Sequence, residues 1–145
     1  MSYKYLKDVS IADVAFVATG KTLDEMFESA GLAVTNTMVN DLKSVKPVVR
    51  KKIKLEADTT EKLLFEFLQE FVFWKDKSLL LFSKVSVKIK EPWKKDGLFS
   101  LTSTLSGEKL NNKKHEMLVD VKAVTWHLFK VEKKRLWQCQ VVLDV

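Results

Sequence analysis

Glycine and proline are scarce in this chain, at four and two residues among 145, which leaves little room for flexible or proline-rich linkers between domains. The single cysteine, Cys139, excludes an internal disulfide framework and suggests a reducing compartment. With only two histidines, His115 and His127, a cysteine–histidine zinc cage cannot be assembled without carboxylate help. No apolar run approaches a bilayer span, and 71–74 and 79–82 fall far short of one. The N-terminal stretch Met1-Ser2-Tyr3-Lys4-Tyr5 is polar and lacks the apolar core of a signal peptide. A P-loop, a glycine-rich dinucleotide fingerprint, a helical HExxH and a GxSxG elbow are all missing. Cys139 falls in mid-strand, where it reads as a small core hydrophobe. The expectation is a non-enzymatic, cytoplasmic protein without membrane association.

Hydrophobic residues make up 46% of the chain and charged residues 30%, an ordinary globular balance. The length suits one domain over 1–145, able to bury roughly 68–70% of its unfolded surface. Lys and Arg number 25 against 19 Asp and Glu, a net +6. That sign is compatible with RNA, or with a partner that carries RNA. The basic clusters Arg50-Lys51-Lys52, Lys94-Lys95, Lys113-Lys114 and Lys133-Lys134-Arg135 are short. Each reads first as a solvated loop or strand edge, where lysine also discourages aggregation.

Periodicity supplies the elements. Residues 12–18 alternate as a strand, with Ala12, Val14, Phe16 and Ala18 on one face and Gly20 ending it. Thr22-Leu23-Asp24-Glu25 is a capping box that opens a helix, whose stripe is Leu23, Met26, Phe27, Ala30 and Val34. That helix fades near Met38 and Asn40. A strand follows over 47–55. Asp58, Thr59 and Thr60, with Glu61, cap a second helix over 60–74. Its core stripe is Leu64, Phe67, Leu68 and Phe71, and Phe65, Phe73 and Trp74 make it apolar nearly all round, as for a second core layer or a contact surface. The remainder alternates as strands over 79–91, from Phe99 to Leu105, over 119–131 and over 136–145. A turn lies at 91–97 and a polar loop at 107–115. In the strand 119–131, Val119, Val121, Ala123, Thr125, His127, Phe129 and Val131 share a face. In the last strand Trp137, Cys139, Val141 and Leu143 point inward. The fold class is α+β, a mainly antiparallel β-sheet with two helices in the order β-α-β-α-β-β-β-β.

Two acidic residues stand out. Asp13 interrupts an apolar strand near its start, and Asp144 sits at the end of another, beside the carboxylate of Val145. If the first and last strands lie together, these three oxygen anions converge and repel unless a hard cation such as calcium, magnesium or manganese lies between them. The alternative is that both aspartates face solvent and never meet. Glu108 beside Gly107, Lys122 within an apolar run and His127 are further candidates; a turn acid, an ion-paired lysine and a satisfied strand histidine are the structural readings of the three.

At these residues the chain resembles the archease family, from about Tyr5 to Val145. The pieces occur in family order: Ala12-Asp13-Val14 with Gly20, Thr22-Leu23-Asp24-Glu25 and Phe27; Leu63-Leu64 and Leu68 with Asp76; Gly107-Glu108; His115-Glu116; Val121-Lys122-Ala123-Val124-Thr125-Trp126-His127; and the terminal Leu143-Asp144-Val145. Ser10 and Ile11 depart from the family's usual His-Thr before Ala12, and Trp126 stands where Tyr is commoner. The resemblance implies an accessory protein of the RtcB-type tRNA-splicing ligase, which uses GTP and a divalent metal to join RNA ends. It implies faster formation of the ligase's guanylylated intermediate, repeated turnover and a looser nucleotide preference. It also implies bound calcium, held by Asp13, Asp144 and Val145, with RNA met indirectly through the ligase. A chaperone-like modulator of RNA-modifying enzymes is the broader form of this expectation. A direct RNA-binding module is the alternative that composition suggests, although the aromatics do not interleave with basic residues.

Overall fold

The computed structural model describes residues 2–7 and 13–145. Ser10, Ile11 and Ala12 of the N-terminal block lie outside the described residues. The elements are β1 Ser2–Leu6, β2 Asp13–Gly20, α1 Leu23–Met38, a short 3-10 helix Leu42–Ser44, β3 Val49–Ala57, α2 Thr60–Ser78, β4 Leu80–Lys90, β5 Phe99–Lys109, β6 Ala123–Lys133 and β7 Trp137–Asp144. This is the predicted α+β order with one further strand, β1, in front. The strands form two sheets, β1-β2-β7-β6 and β3-β5-β4. Every pairing is antiparallel.

Both helices begin at threonines. The Thr22 side-chain oxygen accepts from the Glu25 N–H at 3.1 Å, and Glu25 reaches back to the Lys21 N–H at 2.8 Å, one residue before the partner a capping box expects. In α2 the cap is Thr59, which accepts from the Lys62 N–H at 3.1 Å. Asp58 instead meets the Lys62 ammonium at 3.2 Å, and Glu61 accepts from the Thr60 hydroxyl. Helix α2 runs one turn beyond the predicted end at Trp74. Lys75 continues the buried stripe of Leu64, Phe67, Leu68 and Phe71, and Leu79 stops the helix at φ 56. Removing an N-cap threonine costs about 1 kcal/mol.

Helix α1 packs on β2 of one sheet and β4 of the other, while α2 touches β3, β4, β5 and β6. One core results. It joins Phe16, Val141 and Leu143 to Phe27, Phe67, Phe71 and Phe82, and to Leu101 and Leu105. The rings of Phe67–Phe71 and Phe71–Phe82 meet edge to face at 5.4 and 5.7 Å, worth roughly 0.5–1.5 kcal/mol per pair beyond area burial. The helices also finish the sheet edges. Val87 and Ile89 of edge strand β4 donate their N–H groups to Glu28 (2.9 Å) and Asp24 (3.1 Å) of α1. Val124 of edge strand β6 donates to Gln69 of α2 at 3.3 Å. Backbone donors that would stand unpaired at an edge are thereby satisfied.

Two strand boundaries differ from expectation. The strand predicted over 119–131 begins at Ala123 and ends at Lys133, and its single inward face is not observed. Val124 is buried and His127 is exposed. The register with β7 shifts between Thr125 and Lys130, and Leu128 adopts φ 55; such an irregularity changes which alternate residues face the core. The predicted loop from Gly107 is instead a continuation of β5 to Lys109. A Cβ at Gly107 would lie 1.7 Å from the Leu81 carbonyl oxygen, so the strand needs glycine there for close backbone approach.

Candidate functional site at the acidic end of the four-stranded sheet

The first long strand and the last strand are neighbours, and their register sets Asp13 directly opposite Asp144. On its other side Asp144 faces Ala123 of β6. The Lys122 N–H donates to the Asp144 carbonyl at 2.8 Å, which fixes the strand end. Both aspartates are half-buried, and Val145 beyond them packs part of its side chain on the core. Among the described residues neither aspartate forms an ion pair. Like charges directly opposite each other on adjacent strands destabilise the pair. Their oxygens suit calcium, magnesium or manganese. Among the described residues no three His, Cys, Asp or Glu side chains converge, so a cation held here needs oxygens beyond the two aspartates.

Glu108 is a carboxylate of another kind. Its Oε2 accepts from the Lys46 N–H at 2.6 Å, from Lys114 Nζ at 2.7 Å and from His115 Nε2 at 3.1 Å. The buried His115 accepts from the Asn111 N–H at Nδ1, 2.9 Å away, so the proton sits on Nε2 and a neutral ring completes the contact. The hydrogen bond from Lys114, then those from Lys46 and His115, hold the Glu108 carboxyl down at about 2.

The segment 110–122 connects the two places. It leaves β5 through Leu110 N–H to Leu79 O (2.7 Å), then crosses the end of α1 through Asn40 N–H to Glu116 O (2.9 Å) and Leu118 N–H to Met38 O (2.8 Å). At the end of α2 the buried Lys75 holds it: the ammonium donates to Asp76 and Asp120, each at 2.5 Å, and to the Val121 carbonyl at 2.8 Å. Burial alone would push the Lys75 pKa down, but hydrogen bonds to Asp120 and Asp76 outweigh it and the net shift is upward. Lys75 and Asp120 escaped the sequence reading. The available signal was the spacing, since Lys75 lies four residues after Phe71 on the buried stripe.

The remaining candidates separate. Lys122 binds Asp144 through its main chain, while its exposed side chain borders a hollow with Glu70, Val72, Phe73 and Asp76. His127 lies exposed on the irregular part of β6, four residues along the strand from the position facing Asp144. Its neighbour Trp126 stacks on Phe65 at 4.1 Å, which ties β6 to α2. Phe65 and Trp74 are half-buried against the core, and Phe73 is exposed. Cys139 is buried, and burial pushes its thiol up to about 12, far from a nucleophile's range.

The sequence model of the Archease protein family (MTH1598/TM1083) matches residues 3–145. Protein archease of Pyrococcus furiosus is 35% identical over 136 residues, covering 92% of this chain and 93% of that one. Protein archease of Methanothermobacter thermautotrophicus is 37% identical over 135 residues, with the same coverage. The solution structure of Methanobacterium thermoautotrophicum protein 1598 superposes with a TM-score of 0.76 at 29% identity, over 99% of this chain and 98% of that chain. A match along nearly the whole sequence, on the same fold, shows that this chain belongs to the archease family.

Proposed function

We propose that this protein is a non-catalytic accessory factor of an RtcB-type tRNA-splicing ligase, promoting the ligase's guanylylation and repeated turnover. The observation that carries the proposal is the register of Asp13 against Asp144, which brings the acids of the first and last strands to one strand end. In this reading Asp13, Asp144 and Val145 hold a hard divalent cation, calcium by preference. The cation neutralises carboxylates that otherwise repel, and gives the partner a charged tip to recognise. The chain's own residues supply rigidity. Lys122 fixes the Asp144 carbonyl, Lys75 pins the segment before it, and Glu108 with His115 anchors that segment's far end. Glu108, Lys122 and His127 thus serve as positioning or contact residues rather than as acids or bases.

The test is guanylylation of the ligase with GTP, with and without this protein, comparing wild type with Asp144→Ala. Wild type is expected to stimulate strongly, and a folded Asp144→Ala protein to return the rate to that of the ligase alone. Equal stimulation by both proteins removes the acidic end from the mechanism. No stimulation by wild type removes the ligase reading itself.

A further inference from the structure

The three-stranded sheet turns one face to α1 and α2 and the other to solvent. On the solvent face, β5 contributes Ser100, Thr102, Thr104 and Ser106 as a central row. Opposite them on β3 stand Glu56, Lys54, Lys52 and Arg50, and on β4 stand Lys90, Lys88, Ser86 and Lys84. The flanking side chains are exposed, and the surface between them is hollowed along its length. Six cations therefore line a trough whose floor is hydroxyl-bearing and whose only acid is Glu56, at one end. Among the described residues none of the six is in an ion pair. Of the chain's 25 basic and 19 acidic residues, removing this face leaves 19 and 18. Nearly the whole net charge of +6 is thus concentrated on one sheet face.

We propose that this face binds single-stranded RNA directly, with the sugar–phosphate backbone running along the β5 hydroxyls between the two rows of cations. Alternate residues on a strand repeat every ~6.7 Å, and the two flanking strands stand about 9.5 Å apart. That gives a regular ladder of charge suited to a polyanion with a regular repeat. Ser106 is buried, but the hydroxyls of Ser100, Thr102 and Thr104 both donate and accept, so they can pair with ribose 2′-hydroxyls as well as with phosphate. At the Lys90–Ser100 end the hairpin 91–98 carries Trp93, 88% exposed, followed by Lys94 and Lys95. An exposed indole beside cations is a platform for a base. This surface is different from the Asp13–Asp144 end, and the inference is independent of ligase stimulation.

The experiment is fluorescence anisotropy with the full chain and a labelled oligoribonucleotide of about twelve nucleotides, titrated at roughly 50–200 mM monovalent salt. Binding should weaken steeply with salt, with a log–log slope of about −0.7 per cation engaged and near −4 if all six engage. Lys54→Gln/Lys88→Gln, both exposed and in mid-trough, should bind at least tenfold more weakly and lower the slope by about 1.4, with an unchanged melting temperature. Lys133→Gln/Lys134→Gln removes the same charge elsewhere and should bind like wild type. Trp93→Ala should weaken binding about tenfold. RNA should bind several-fold tighter than DNA of the same sequence. Absent binding at low salt, equal loss in the two double variants, equal affinity for DNA, or equally tight lysine-dependent binding of a glutamate-rich peptide would each overturn the proposal. An unchanged Trp93→Ala overturns the placement of a base at the hairpin.

Discussion

Glu108 and the Asp13–Asp144 pair are carboxylates at strand ends in opposite circumstances. Glu108 is surrounded by donors from Lys46, Lys114 and His115, and its charge is already neutralised within the fold. Asp13 and Asp144 face each other across a strand pair, and among the described residues no cation answers them. The difference teaches how to separate a structural acid from one suited to a ligand. A carboxylate that the fold has satisfied stabilises the fold; an opposed pair without such donors is, in the proposed reading, the one a bound cation would neutralise.

Calcium gives the largest contrast. At a hundred times its dissociation constant, calcium should stabilise wild type by about 2.7 kcal/mol, read as a rise in melting temperature. Asp144→Asn should lose that response, yet be slightly more stable than wild type in chelator, by roughly 0.2–1 kcal/mol, because the cross-strand repulsion is gone. A calcium response of equal size in both proteins breaks the comparison. Glu108→Ala should have the opposite profile. It leaves the buried His115 N–H and the Lys46 N–H without their acceptor, costing about 2 kcal/mol, with the calcium response intact.

The third contrast is in pH. The folded Glu108 carboxyl titrates at about 2, below its ordinary 4.5. As pH falls the unfolded chain takes up this proton first. The stabilisation is therefore complete above about 4.5 and lost progressively between there and about 2. Melting curves of wild type and Glu108→Gln should converge over that window. Asp24, Glu28 and Glu70, raised by burial, shift with the opposite sign in both proteins and cancel in the difference. Parallel curves would assign the anchoring to His115 alone.

The helices were legible because their signals are local. Thr22 and Thr59 lie where the caps form, and the stripes of apolar residues fall at helical spacing. Cys139, Val141 and Leu143 were legible as inward residues by simple alternation. What failed depends on distant partners. The shift in β6 arises from its pairing with β7, and β1 is held by β2 and by Tyr5 bonding to the Ala33 carbonyl. No periodicity within 2–6 announces either contact. At the candidate site, alternation could pick out Asp13 and Asp144 as misfits in apolar strands, but only the sheet order makes them neighbours. The basic face was hidden for the same reason. Read in sequence, Arg50-Lys51-Lys52 is a short cluster, whereas in the sheet Arg50 lies across β5 from Lys84, more than thirty residues away, and Lys52 joins the same row.

The carboxylates of Asp24 and Glu28 that meet the Val87 and Ile89 N–H groups have a consequence for recruitment. A partner that docks by lending a strand needs a free edge, and the outer donors of β4 are already engaged by the protein's own helix. Gln69 guards Val124 of β6 in the same way. On these two of the four sheet edges a strand-lending partner is disfavoured, whereas the strand end that carries Asp13 and Asp144 and the basic face of the three-stranded sheet stay open, and those are the two surfaces where unbalanced charge lies.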